Sequence, residues 1–238
     1  LQNTEDRNSY WKYLGEDNTA VSWKQRELKE QGFLALKEPG TYAHVLELVQ
    51  KSFCDEVDVE DGIAMNQALK ENLFVVIICI LNRIPIFVVG KPGSSKTLTM
   101  QVIASNLQGK QSSREFWRRY PAVYIFPYQC SPMSDSHSIQ HQFDMAVRYQ
   151  QHAENTITIL LLDEVGLAEH SPEMPLKVLH AMLVDPPIAI VGLSNWVLDP
   201  AKMNRAICLQ RTEPSKTDIT LTGQCIISSH SAQDERLN

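Results

Sequence analysis

The stretch IFVVGKPGSSKTLTM, residues 86–100, places Lys96 and Thr97 side by side behind Gly90, Lys91, Pro92, Gly93, Ser94 and Ser95, with Leu98 following. Those residue types at that spacing suit phosphate chemistry. Backbone N–H groups that curl over an anion at a helix start, where the helix dipole adds about half a positive charge, can cradle a β-phosphate. A lysine there reaches the β and γ oxygens, and the hydroxyl after it holds Mg²⁺. The pattern GxxxxGK[ST] is met except that Ser95 stands where the motif has glycine. Glycine serves such a turn because it takes positive φ and lets backbone approach the ligand. A serine held at positive φ costs about 1 kcal/mol, although its small hydroxyl can itself donate to a phosphate. The competing reading is an ordinary strand-to-helix turn that happens to contain Gly, Ser and Lys.

Downstream, LLLDEV sets Asp163 and Glu164 at the C-terminal end of an apolar run, the edge of an open α/β sheet where ligands bind. Asp163 is expected to hold Mg²⁺ through its water shell, and Glu164 to orient and polarise the water that attacks a γ-phosphate. Two solvated acids at a strand end are the plainer alternative. Asn195 closes the next strand in GLSNW. If the two strands are neighbours, its amide faces the same water, a role known as sensor 1; otherwise it is an asparagine starting a turn. Arg205, in LDPAKMNRAI, is expected at the domain edge, out of reach of its own γ-phosphate. There it projects toward a neighbouring domain's nucleotide as an arginine finger, or is a plain surface arginine.

These groups need elements to hold them. MNQALKENLFVVIICILNRIP predicts a helix from Met65 that ends near Arg83, before Pro85. IFVVG reads as a buried strand, and TLTMQVIASNLQG as the helix after it, capped by Gly109. AVYIFPY is a second strand, and Pro127 means either that it ends there or that it lies near an edge. A helix is expected over residues 136–151. ITILLLDE is a third strand, apolar without alternation and therefore buried on both faces. MPLKVLHAML predicts a helix with Pro175 in its first turn, AIVGLSN a fourth strand, and ICLQR a short fifth. Strands alternating with helices imply an α/β protein with a doubly wound, mostly parallel sheet flanked by helices.

With 238 residues, 43% of them hydrophobic, the chain can build one principal domain with appendages. The expected division is an N-terminal lead segment over 1–60, partly helical around 42–49 and containing Trp11 and Trp23, a nucleotide-binding core over 61–212, and a polar tail over 213–238. A net charge of −6 argues against nucleic acid as a partner, since affinity for phosphate backbones comes from clustered Lys and Arg. Five scattered cysteines without a CxxC pair indicate neither a disulfide framework nor a zinc site, and suit a reducing, cytoplasmic setting. No secretory signal is visible; the first residue, Leu1, suggests a processed chain or a piece of a longer one. The longest apolar run, LFVVIICIL, is about half the roughly 20 residues a membrane helix needs, so no membrane span is expected.

The blocks GKPGSSKTL, QCSPMSDSHSI, LLLDEVGLAEHSPEMPLKVLH and GLSNWVLDPAKMNRA, in that order over residues 62–211, resemble a P-loop NTPase core of the AAA+ type. More narrowly, they resemble the dynein-like AAA+ units of the mysterin family of giant RING-finger ubiquitin ligases. In that family GKPGSSK is the usual loop, so the resemblance makes Ser95 a family trait. It implies ATP as nucleotide and Mg²⁺ as metal, Lys96 and Thr97 at the nucleotide and metal positions, Asp163 and Glu164 as the Walker B pair, Asn195 as sensor 1 and Arg205 as the presumed finger. The implied partners are neighbouring AAA+ units, in the same parent chain or in trans, and the implied activity is ATP hydrolysis coupled to conformational change. The chain departs from the pattern in lacking a RING-type Cys/His array, in offering after ICLQR only a tail too short and polar for a helical lid with its sensor 2 arginine, and in the short connection from His180 to Ile188. A nucleotide-binding scaffold without hydrolysis is the alternative that the lidless reading favours. A kinase-like phosphotransferase shares the loop but predicts no asparagine-to-arginine module.

Overall fold

Ile86 and Val88 are buried in one hydrophobic cluster and Phe87 and Val89 in another, as successive side chains of a strand must be when both faces of its sheet are covered. The computed structural model describes residues 41–169, 171–200 and 204–236. Five strands, β1 (Ile86–Val89), β2 (Ala122–Gln129), β3 (Thr156–Asp163), β4 (Ala189–Ser194) and β5 (Ile207–Gln210), make one sheet in the order β2-β3-β4-β1-β5. Every pairing is parallel. The chain leaves β1 for the far edge, returns through β3 and β4, and then passes to the other side of β1. The C-terminal ends of β1, β3 and β4 therefore lie together where the order reverses, which is where open α/β sheets bind ligands.

The helices are α1 (Thr41–Cys54), α2 (Gln67–Leu81), α3 (Lys96–Asn106), α4 (Ser136–His152), α5 (Val165–Ala168), α6 (Leu179–Met182) and α7 (Lys216–Arg236). On one face of the sheet, Leu73, Ile77 and Ile80 of α2 and Met100 and Ile103 of α3 pack with Ile159 and Val191. On the other face, Ile139 of α4, Val165 of α5 and Leu179 of α6 pack with Leu160 and Ile190. Gly192 of β4 is glycine for a steric reason: a Cβ there would lie 2.3 Å from the ring of Phe87 on the neighbouring strand. The helix starts carry their own caps. Asn66 accepts from the Leu69 N–H, and Asp135 from the Ser138 N–H, as N-cap residues do.

The edge position expected for β2 from Pro127 is observed. The Ala122 and Cys130 N–H groups point inward, to Asn155 O (3.1 Å) and Asp163 O (2.8 Å). Residues of the opposite parity point outward, as Val123 does to Leu107 O at 2.9 Å. Pro127 has the outward parity, so its missing N–H removes no bond to β3. The Gln142 side chain donates to its carbonyl at 3.1 Å.

Three expectations change. The helix after β1 stops at Asn106 with Leu107 as its C-cap, and Gly109 opens a 3₁₀ turn over Gly109–Gln111 rather than capping the helix. Residues expected to form a polar tail include α7, whose start is closed by a reciprocal cap: the Asp218 N–H donates to Ser215 Oγ (3.1 Å) and the Ser215 N–H to Asp218 Oδ2 (3.3 Å). Asp218 Oδ1 also accepts from the Gln67 N–H at 3.0 Å, and Asn66 Nδ2 donates to Thr222 Oγ1 at 3.3 Å, so α7 is fastened to the start of α2. The segment MPLKVLHAML is not one helix. A 3₁₀ turn over Pro175–Lys177 precedes α6, with Leu176, Leu179 and Met182 still buried at helical spacing. The chain divides into two compact units, Leu1–Lys51 and Ser52–Asn238, and the site lies in the second. The helical pattern expected at 42–49 falls within α1; Trp11 and Trp23 lie outside the described residues. Among the described residues no helix is long and apolar enough to cross a membrane.

Candidate functional site

The loop after β1 is built by contacts that leave little freedom. The Gly90 N–H donates to Ser194 O at 3.0 Å, tying the loop to the end of β4. A Cβ on Gly90 would lie 2.8 Å from both Arg211 Cβ and Ser94 Oγ, so only glycine fits. Gly93 has φ +84° and a Cβ there would meet nothing within 4 Å; its requirement is conformational. Ser95 sits at φ 59°, ψ 21° as the residue before α3, a left-handed conformation costing a serine about 1 kcal/mol. Thr99 holds its carbonyl through both the backbone N–H (2.9 Å) and Oγ1 (2.6 Å). Behind the loop, the buried Asn72 of α2 donates from Nδ2 to Ser94 O at 3.1 Å. The N–H groups that open α3, those of Lys96, Thr97 and Leu98, have no acceptor within the helix.

The Lys96 side chain is 9% exposed, and its Nζ donates to Gly90 O (2.6 Å), Lys91 O (3.1 Å) and Ser94 Oγ (3.3 Å). Burial lowers its pKa, while the negative charges of Asp163 and Glu164 act in the opposite direction. The loop lysine therefore lies in the field of both carboxylates.

Asp163 and Glu164 come from the end of β3. Asp163 Oδ1 accepts the Glu164 N–H at 2.9 Å, and Glu164 itself is left-handed, φ 49°, ψ 40°, which turns the chain sharply out of the strand. From the neighbouring β4 comes Asn195. The Ser194 hydroxyl donates to Trp196 O at 2.5 Å and accepts the Trp196 N–H at 3.3 Å, a clasp that turns the backbone around Asn195. Gly166 leaves room for it, since a Cβ there would lie 2.7 Å from Ser194 Oγ and from the Trp196 indole.

These parts enclose one open cleft of about 390 Å³, lined by residues 92–98, by Asp163 and Glu164, and by Leu193 and Asn195. Pro92, Gly93, Ser94, Ser95, Lys96, Thr97 and Leu98 are thus brought together with Asp163, Glu164 and Asn195. Gly90 and Lys91 do not line it. Gly90 is buried beneath the loop, and the Lys91 side chain is turned outward into an ion pair with Glu213, 72% and 71% exposed. Arg205 also lies outside the cleft, exposed, with its guanidinium donating to His180 O. Sequence reading missed Asn72, Leu193 and Arg211. Asn72 had a signal in being the polar residue that leads into LFVVIICIL. Arg211 carried none. Its guanidinium pairs with Glu71, and its N–H donates to Val89 O at 2.7 Å.

The chemistry of this donor set fits an anionic polyphosphate accompanied by a divalent cation: unmade N–H bonds and an ammonium on one wall, a hydroxyl at its edge, and two carboxylates opposite. A family model described as RNF213 AAA domain matches residues 62–218, which include every one of these groups. The chain belongs to that family. The RNF213 relationship recurs in full-length proteins. The chain is 40% identical over 200 residues to E3 ubiquitin-protein ligase RNF213 of Homo sapiens, covering 79% of this chain and 4% of that protein. It is 42% identical over 186 residues to E3 ubiquitin-protein ligase rnf213-beta of Danio rerio, covering 73% of this chain and 4% of that one. The chain therefore spans a small part of the length of the relatives it matches. The solved structure of C. elegans PCH-2 aligns with a TM-score of 0.44 at 20% identity, over 66% of this chain and 46% of that one. The resemblance to mysterin AAA+ units stated from sequence is shown by the family model and the RNF213 relatives.

Proposed function

We propose that this RNF213-type AAA domain binds Mg·ATP in the cleft and hydrolyses it when neighbouring AAA+ units complete the site. The observation that carries the reading is the convergence of the α3 N-terminus with Asp163, Glu164 and Asn195 on a single cleft. In this reading the loop N–H groups and the Lys96 ammonium bind the phosphates, with Lys96 exchanging its bonds to the loop carbonyls for phosphate oxygens. Thr97 Oγ1 and the Asp163 carboxylate hold Mg²⁺, which when bound supplies charge neutralisation along the phosphates. The Glu164 carboxylate accepts a proton from the water that attacks the γ-phosphorus, ADP leaves with the electron pair of the β–γ bridging P–O bond, and the Asn195 amide orients that water. Arg205, exposed on the outer surface, serves a neighbour's nucleotide as a finger. The parent protein is read as a large ubiquitin ligase in a reducing, cytoplasmic setting, with this domain as one of its nucleotide-driven elements; the five free cysteines support that setting.

A scaffold that binds nucleotide without turnover draws support from Lys96, whose ammonium is already satisfied within the loop. Phosphate release from the full-length parent separates the two readings. Glu164→Gln is expected to lower turnover at this site by about 100-fold or more while ATP remains bound. Turnover unchanged by that substitution would remove Glu164 from the reaction, and absence of turnover in the unsubstituted parent would favour the scaffold.

A further inference from the structure

The Ser95 conformation has an obvious escape. Turning over the single peptide plane between Ser94 and Ser95 would carry Ser95 from φ 59° to the negative φ that a serine prefers. Because C=O and N–H point opposite ways in a planar trans peptide, the same flip would withdraw the Ser95 N–H from the cleft and present the Ser94 carbonyl oxygen to an anion. A glycine at this position would have no such incentive.

Asn72 opposes the flip. It is fully buried at 0% exposure, and its Nδ2 donates to Ser94 O at 3.1 Å. Its Oδ1 is buried with no partner. An apolar side chain of similar size would fill the space without stranding an acceptor, so packing alone does not account for an amide here. The bond to Ser94 does.

We propose that Asn72 is a positioning residue for the phosphate loop: by holding the Ser94 carbonyl inside the domain it keeps the Ser95 N–H facing the cleft, and so substitutes for the glycine the loop lacks. The proposal rests on the nucleotide-binding reading above. Its distinctive consequence is that Asn72 matters only while residue 95 is not glycine.

The test is a cycle of four chains: unsubstituted, Asn72→Leu, Ser95→Gly and the double variant. Each is titrated with methylanthraniloyl-ADP and Mg²⁺, with folding checked by thermal melting. Asn72→Leu is expected to weaken binding by about tenfold relative to the unsubstituted chain, and the double variant to bind within about twofold of Ser95→Gly. A merely structural role would leave the loss unrescued. Equal affinity in Asn72→Leu, or a double variant no tighter than Asn72→Leu, overturns the proposal. If Asn72→Leu does not fold, Asn72→Ser takes its place, and failure of both to fold assigns Asn72 to the core and also overturns it. If the unsubstituted chain binds no nucleotide, the functional reading fails and crystal structures decide the inference separately. The 94–95 peptide is expected to be flipped in Asn72→Leu and restored in the double variant; an unflipped peptide in Asn72→Leu contradicts it.

Discussion

At the scale of single residues, the cleft is framed by two non-glycine residues in left-handed conformation, Ser95 at φ 59° and Glu164 at φ 49°. Each stands immediately before a helix, Ser95 at the end of the loop and Glu164 at the end of β3, and each puts its neighbours to use. Ser95 aims the N–H groups that open α3, and Glu164 brings its own carboxylate to the wall of the same cleft. Serine tolerates the conformation because it is small and unbranched, which makes the position sensitive to branching rather than to polarity. Ser95→Val is therefore expected to weaken Mg·nucleotide binding by up to about fivefold, since a β-branched residue at positive φ is strained by about 1–2 kcal/mol relative to glycine and serine already bears about 1 kcal/mol of that. A fluorescence titration with methylanthraniloyl-ADP measures this, and unaltered affinity in Ser95→Val would show that the loop does not need its left-handed residue. The sequence raised the question of Ser95 because one letter breaks a known spacing. It held no comparable mark for Glu164, whose φ depends on how β3 meets α5.

At the scale of elements, the strands were legible and the helix ends less so. The two-sided burial of β1, β3 and β4 follows from apolar runs without polar alternation, and Pro127 pointed to the edge strand. The last helix, α7, escaped notice because its sequence has no apolar stripe; Ile219 and Ile227 are exposed, at 61% and 68%. Its signal was the capping box SKTD, residues 215–218, which closes the helix start reciprocally. The same helix joins an acid–base cluster behind the loop. Burial alone would raise the Glu71 carboxyl, but hydrogen bonds from Arg211 and Gln67 and the Arg211 charge hold it below its ordinary value, with Asp218 opposing. A carboxylate whose folded pKa is depressed adds stability above its unfolded pKa, about 4.3 for Glu, and loses it as pH falls through the folded value. Urea midpoints should thus hold steady from pH 7 to about pH 4.5 and decline below it. In Glu71→Gln that decline should be shallower but not absent, because Asp58, Asp135, Glu213 and Asp218 are lowered too. An identical acid slope in both proteins would mean that the Arg211 pair does not distinguish the folded from the unfolded state.

At the scale of the whole molecule, what the sequence left open was the strand order. Nothing in AVYIFPY or AIVGLSN says that β4 rather than β2 lies beside β1; that order is set by the folded sheet. It matters because it sets the ends of β1, β3 and β4 next to one another and so turns a loop, an acid pair and an asparagine into one site. Arg205 lies outside its own cleft because it follows β4 on the way to the outer strand β5. The ion pairs of Lys91 with Glu213 and Arg211 with Glu71, and the bonds from Gln67 and Asn66 to α7, connect the loop side of the sheet to the last helix through the protein rather than through ligand. The account as a whole turns on whether that cleft grips a nucleotide through its two opposite walls. The most direct measurement is isothermal titration of Mg·ATPγS into the chain, into Lys96→Ala and into Asp163→Ala. Saturable one-to-one binding is predicted for the unsubstituted chain, weakened by about tenfold or more in Lys96→Ala; Asp163→Ala should lose most of the gain that Mg²⁺ gives over EDTA. Equal affinity in all three chains, with or without Mg²⁺, would contradict it.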